Sequence, residues 1–380
     1  MKKQSALLQT IVILFWFSIY IYIPYQAPYL SLIGAASGMI GVIVGAYGFF
    51  QIVCRIPMGI IADRYVCHKR FILGGSALCA VASLIRVFFP DGTGYLIASA
   101  VSGIAVSTWI SFMTLYTNMY DKKAAPAALG RILAASYIGM FAAFVTGMLF
   151  YDSIGMGSIC LLSVGGAVLA FLCSLFVKEP HVELPRVPIS EHFRIMKQPR
   201  LIFFSIIALV QLGMITSTAN SFTSTVAKSL GANGFFIGLA SMCFIVAAIL
   251  STYFGNTRLA AKGGAKLWIP VTTAGVSVYC LVVPSISSLA LLYPLQILVG
   301  AGQGLLLSYL TNEAISEIPQ DKHCTALGFF QAVYAIGMTF FPMIFGAVAG
   351  TFSMAAAFYT VAAICALSLV AELIFYAKKH

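Results

Sequence analysis

Apolar stretches of about 20 residues, the length a helix needs to cross the hydrocarbon core of a bilayer, recur from Leu7 to Ala377 with only short polar breaks. Twelve can be delimited, at 7–32, 36–62, 70–90, 93–119, 127–151, 154–177, 200–227, 234–256, 265–284, 288–314, 324–350 and 353–377. They are numbered below as spans one to twelve. Hydrophobic residues are 61% of the 380 and charged residues 9%, too few to clothe a water-soluble surface. An all-α integral membrane protein is expected, because a helix satisfies its backbone polar groups internally where no water is present. The apolar run after Met1-Lys2-Lys3 continues past Trp16, Tyr20 and Tyr22 without a small-residue cleavage site, so it reads as a retained span. The longest polar stretch, Lys178 to Arg200, carries Pro180, Pro185, Pro188 and Pro199 and reads as a linker. The organisation expected is a six-helix bundle over 1–178, a cytoplasmic linker over 179–199 and a second six-helix bundle over 200–380.

The formal net charge of +11 would suit nucleic acid only if the cations formed a patch. They are instead spread over alternate loops. With the N-terminus inside, twenty of the twenty-two Lys and Arg lie at or near the cytoplasmic side, leaving Arg86 and Lys228 toward the other. That bias supports an even number of crossings, with both termini expected to be cytoplasmic in a plasma (inner) membrane. The nine cysteines are scattered without a CxxC pair and read as packing residues. The five histidines fall in predicted cytoplasmic loops or the tail, so no metal and no cofactor is expected.

An internal repeat is visible in the letters. Ala128-Leu129-Gly130 of span five recurs as Ala326-Leu327-Gly328 of span eleven, and Ile138-Gly139-Met140 as Ile336-Gly337-Met338, all at an offset of 198 residues. Thr117-Asn118 recurs as Thr311-Asn312 at an offset of 194. Six spans followed by six make the repeat parallel, an arrangement that builds a site between two bundles. Gly130, Gly139 and Gly147 of span five, and Gly328, Gly337 and Gly346 of span eleven, fall on nearly one helical face. They are read both as close-packing positions and as a smooth seam along which the bundles rock.

After span two the sequence reads Gly59-Ile60-Ile61-Ala62-Asp63-Arg64-Tyr65-Val66-Cys67-His68-Lys69-Arg70. This resembles the loop between helices two and three of the major facilitator superfamily (MFS): Gly59, Asp63, Arg64, Lys69 and Arg70 fit, while Val66 replaces a second glycine and Cys67 a basic residue. The resemblance implies the twelve-helix fold of two pseudo-symmetric bundles. It also assigns the five fitting residues a gating role, with Asp63 set against the start of span eleven when the cytoplasmic side is closed. An acid at a helix start is stabilised there by about 0.3–2 kcal/mol.

Polar and aromatic side chains at mid-membrane depth are costly unless they face a cavity or a partner. Tyr20, Tyr25, Trp109, Tyr137, Gln211, Asn220, Gln303, Gln331 and Tyr334 are the candidates for solute contact. Arg86 reads as snorkelling to the outer headgroups. No acid stands well inside a span, which leaves Glu313, at the end of span ten, as the candidate for proton coupling. The expectation is a monomeric secondary transporter, not an enzyme. It exports an amphipathic or weakly cationic small molecule through a nearly neutral cavity, with protons and the lipid bilayer as its other partners. Flipping of a lipid-linked substrate, or import by the same fold, are the alternatives. A membrane-embedded enzyme would need clustered His, Asp or Glu at mid-depth, which the sequence lacks.

Overall fold

The computed structural model describes residues 2–65, 67–121, 124–179, 195–255, 257–319 and 323–378. Among them there is no strand, and the helices follow the apolar blocks closely. Span one is Lys2–Tyr20 with Ile23–Leu32, span two Ser37–Tyr65, span three His68–Phe88, and span four Gly92–Ser107 with Trp109–Thr117. Spans eight to twelve are Gly234–Gly255, Arg258–Val282, Leu289–Ile315, His323–Thr351 and Met354–Ala377.

Spans five and six form the helical stretch Ala125–Leu175, with no loop between them where the sequence suggests one at 152–153. At 1.5 Å per residue its 51 residues would reach about 75 Å, more than twice the roughly 30 Å hydrocarbon core. The chain instead reverses at Gly155, whose φ of 73° and ψ of 175° suit a residue without a Cβ. Two crossings result. Of the eleven long apolar helical segments among the described residues this is the one that counts twice, giving twelve spans. An even count puts both termini on one face, here the terminal face. The opposite face is called distal.

Span seven is not uniform. Pro199–Ser217 and Thr223–Ser229 are α-helical, and Thr218–Phe222 between them is a π-helical segment. Side-chain hydroxyls there take up main-chain carbonyls, Thr218 bonding Met214 O at 2.8 Å and Ser221 bonding Thr216 O at 2.8 Å. Carbonyls engaged in this way fit a locally widened turn.

Lipid gives apolar side chains no reason to leave it, so Leu367 (70% exposed) and Phe352 (79%) stay on the outside. Close packing between spans instead falls at glycines. A Cβ on Gly103 would stand 2.4 Å from Tyr47 O, and one on Gly300 2.2 Å from Phe244 O. Both members of that contact shift by the same 197 residues. Likewise Gly139 lies against Ile13 O and Gly337 against Leu209 O. Spans four on two and five on one are thus repeated by spans ten on eight and eleven on seven, with the same backbone-to-backbone approach. The repeat seen in the letters is a repeat of packing.

One part of the glycine reading is corrected. Gly139 and Gly147 pack on span one, the latter against the Tyr25 ring, and Gly130 and Gly328 have nothing within 4 Å of a Cβ. Of the six glycines read as a seam, Gly346 is the one that meets the other half, at Ser37 O and Gly41. The seam is carried chiefly by Gly41, Gly45 and Gly48 of span two, where an added Cβ would fall 2.2, 2.4 and 2.8 Å from Pro342 O, Thr339 O and Met338 C. Helices can touch this closely only where a side chain is missing.

Gly337→Leu should lower stability by about 1–3 kcal/mol, because its Cβ would fall 2.0 Å from Leu209 O. Gly328→Leu, on the same helix with open space, should change it little. Thermal unfolding of the two detergent-solubilised variants beside the wild type checks this, and equal losses would contradict it.

Candidate functional site

Toward the distal face a single hydrophobic cluster joins both halves, bringing Tyr25, Ile40 and Phe144 together with Met214, Phe222 and Phe345. Two further clusters lie one in each half, around Phe15 and Phe112 and around Phe204 and Phe330. The halves are therefore fused at the distal side. Asp152 reinforces the closure: at the distal end of span five, its carboxylate accepts from Gly234 N at 2.7 Å and Phe235 N at 3.1 Å, the first amides of span eight. Beside it Tyr25 stacks on Tyr151, ring centroids 4.0 Å apart and planes 9° off parallel.

The gating acid expected from the sequence was Asp63. Its backbone closes span two, but the side chains of Asp63 and Arg64, and the surroundings of Gly59, lie outside the described residues. Lys69 and Arg70 are described: Lys69 Nζ donates to Leu175 O at 2.8 Å, within the first half, and Arg70 is exposed. His68, expected in a loop, is instead the first residue of span three and is buried, its amide donating to Glu179 Oε1 at 2.6 Å.

Beneath the distal closure lies a cavity of about 60 Å³, lined by Tyr20, Tyr22, Gln26, Tyr47, Arg86 and Ser99 of the first half and by Thr216, Asn220, Ser221 and Met338 of the second. Asn220 reaches it from the π-helical segment of span seven. Tyr137 and Tyr334 stand close to Tyr20, and the Tyr137 hydroxyl bonds Thr252 of span eight. Four of the nine candidates, Tyr20, Tyr137, Asn220 and Tyr334, are thus gathered between the halves. The others are elsewhere. Tyr25 is in the distal closure, and Trp109 packs on Trp16 and Phe112 in the first-half core. Gln211 and Gln303 line a smaller void within the second half. Gln331 is half-buried on span eleven with Oε1 unbonded.

Arg86 corrects the sequence reading most sharply. It is 2% exposed and does not snorkel. Its Nη2 donates to Ser102 Oγ at 3.0 Å, its Cζ sits 3.9 Å from the Tyr22 ring centroid, and Nε and Nη1 have no hydrogen-bond partner. A guanidinium stays charged in any protein environment, and burying one uncompensated costs several kcal/mol. The cavity is therefore cationic, not nearly neutral. Arg55 of span two is likewise buried, with Nε and Nη1 unbonded, but does not line the cavity.

The acids are also redistributed. Glu313 pairs with Arg200 at the start of span seven, which also bonds Glu317 at 2.7 Å, so its carboxylate is spent in an ion pair at a helix end. Glu372, in the last turns of span twelve, is fully buried. Its Oε1 accepts from Thr273 at 3.0 Å and Ser368 at 3.2 Å, and its Oε2 has no partner. Thr273 in turn receives Gln211 Nε2 at 3.0 Å, linking the carboxyl to span seven. The signal was present, since Thr273, Ser368 and Glu372 are polar residues within apolar spans. Their convergence was not readable.

A twelve-span repeat enclosing a polar cavity between its halves defines a membrane transporter. The chain belongs to the Major Facilitator Superfamily, which it matches over residues 8–226 and again over 205–380. It is 24% identical over 356 residues, 87% of either chain, to the uncharacterized MFS-type transporter MJ1560 of Methanocaldococcus jannaschii. A shorter stretch of 103 residues, 27% of this chain and 22% of the other, is 30% identical to the inner membrane transport protein YajR of Escherichia coli. Among solved structures it resembles an auto-inhibited POT family peptide transporter (TM-score 0.84, 12% identity, 100% and 97% of the two chains). It also resembles the nucleoside transporter NupG (TM-score 0.79, 14% identity, 98% and 99%).

Asp152→Asn should weaken the distal closure by about 0.5–1 kcal/mol, a two- to fivefold rise in the distal-open population. A cysteine introduced at Val44, on the cavity wall, in a cysteine-free background should then react faster with a membrane-impermeant maleimide from the distal side. An unchanged rate would remove Asp152 from the gate.

Proposed function

We propose that this transporter moves a small organic solute by alternating access between the two six-helix bundles, with Glu372 coupling the movement to a proton gradient. The observation that carries the reading is the cavity itself: it draws polar groups from both halves and lies under a closure that joins those halves, among the described residues, at the distal face. Opening the distal seam while closing the terminal side would expose the same groups to the other compartment. The close backbone approach at Gly41, Gly45 and Gly48, where the Met343 and Thr339 side chains fit against glycines that carry none of their own, suits a rocking seam. Orientation follows from the positive-inside bias: the terminal face, with the linker and most Lys and Arg, is cytoplasmic, and the cavity is then sealed from the outside.

Proton coupling is assigned to Glu372 in place of Glu313. A carboxyl removed from water and membrane-embedded is the group type that carries protons in such proteins. Its surroundings leave it free to exchange: Thr273 and Ser368 are hydroxyls that bond either protonation state. Tyr376 stands near both Glu372 and the pair that Arg200 and Glu313 form with each other. Through Thr273 and Gln211 the carboxyl also touches span seven, whose π-helical turn holds Asn220 in the cavity. Protonation at Glu372 can thereby bias the element that meets the solute.

In proteoliposomes carrying a substrate found by counterflow, Glu372→Gln should preserve exchange but abolish accumulation driven by an imposed pH gradient. Gradient-driven accumulation at the wild-type level would exclude Glu372 from coupling. The side on which solute accumulates gives the physiological direction.

A further inference from the structure

We infer that the cavity holds the acidic group of an organic anion on Arg86, so that the solute carries a carboxylate or phosphate. The inference rests on the transport reading above and names its substrate class.

The argument begins from charge. Arg86 is the one charged residue among those lining the cavity. The described carboxylates stand elsewhere: Asp91 caps span four at Gly94, Asp121 is exposed after span four, Asp152 caps span eight, Glu179 caps span three, Glu313 and Glu317 hold Arg200, and Glu372 bonds Thr273 and Ser368. Ser102 supplies a single neutral acceptor, and the Tyr22 ring covers one face of the guanidinium. Nε and Nη1 are left without an acceptor, each on an edge that it shares with Nη2, in a residue that is 2% exposed. A planar cation with donors projecting from its edge is matched by a carboxylate or phosphate, whose oxygens accept two parallel hydrogen bonds. A cationic solute would meet repulsion at the same place.

The remaining lining describes the rest of the ligand. Gln26, whose Oε1 is unbonded and buried, and Asn220 from the opposite half offer amide contacts in the same cavity. Tyr20, Tyr22 and Tyr47 present ring surface for an apolar or aromatic body. About 60 Å³ admits a few waters or one acidic head group, so a whole solute enters only as the bundles part. Because Arg86 belongs to the first half and Asn220 to the second, an anion bound to Arg86 and bonded by Asn220 would tie the halves together. Binding is then linked to closure.

Matched probes test this: benzoate, phenyl phosphate, benzamide and benzylamine share one ring and differ in charge. Protein in phosphatidylcholine nanodiscs should be stabilised against thermal unfolding by benzoate or phenyl phosphate, and not by benzamide or benzylamine. Arg86→Met should weaken anion affinity about tenfold or more, while Arg86→Lys retains part of it. A merely structural arginine would lower the unfolding temperature of the empty protein and leave the increment given by benzoate intact. If Arg86→Met does not fold, the wild-type charge series and Asn220→Ala, which should reduce the anion increment, decide the matter. Stabilisation by benzamide or benzylamine equal to that by the anions, or an anion increment unchanged in Arg86→Met, overturns the proposal. Repeating the series with phosphatidylglycerol in the nanodiscs separates sources. Loss of the benzoate increment there assigns the site to an anionic lipid head group and overturns a soluble solute, whereas its persistence supports one. Counterflow of a neutral solute with no anion binding would leave the transporter and remove the anion site. Anion binding without counterflow would do the reverse.

Discussion

Backbone meeting backbone at glycine is the contact on which this architecture depends. Lipid tails are as apolar as leucine, so association of the spans cannot rest on hiding side chains from water. What remains is dispersion, which requires close approach, and close approach requires an absent Cβ. Gly103 on Tyr47 and Gly139 on Ile13 make each pair of spans in the first half rigid, and Gly300 on Phe244 and Gly337 on Leu209 do the same in the second. The same chemistry between spans two and eleven joins one half to the other. There the Met343 and Thr339 side chains of span eleven meet bare glycine backbone on span two, so the seam interlocks from one side only at Gly45 and Gly48.

Charges are disposed around that frame in a consistent way. Acids at helix ends bind amides or arginine: Asp152 across the distal seam, Glu179 within the first half, Glu313 and Glu317 at the start of span seven. Each is near water, where desolvation is incomplete and a latch can open at modest cost. Of the buried charge-bearing groups outside this pattern, two bear on the cavity and on coupling, Arg86 in the cavity and Glu372 in the second half. One is a fixed cation and the other a group able to gain and lose a proton. They belong to different halves, and span seven lies between them, its Gln211 joined to Glu372 through Thr273 and its Asn220 facing the cavity of Arg86.

Much of this was legible in the letters, for reasons that differ by feature. Span positions follow from length and hydropathy, because a bilayer imposes one thickness on all twelve. The parallel repeat followed from identities in spans five and eleven, and the structure extends it to glycine contacts that no string match reveals. The candidate contacts were half legible. Polarity inside an apolar span marks Tyr20 and Asn220 as needing a partner, and it marks Tyr25 and Gln303 equally. Only rotation about the helix axis separates cavity from interface.

The sequence by itself determined the membrane class, the count and order of spans, and the duplicated unit, since these depend on composition and period along one chain. Tertiary structure alone decided that Arg86 is interior and not at the headgroups, that Glu372 and not Glu313 is the sequestered acid, and that Asp152 joins the halves at the distal face. The physical reason is that burial and pairing are properties of what stands opposite a residue. Those neighbours, Tyr22 for Arg86, Thr273 for Glu372 and Gly234 for Asp152, lie between 64 and 99 residues away along the chain.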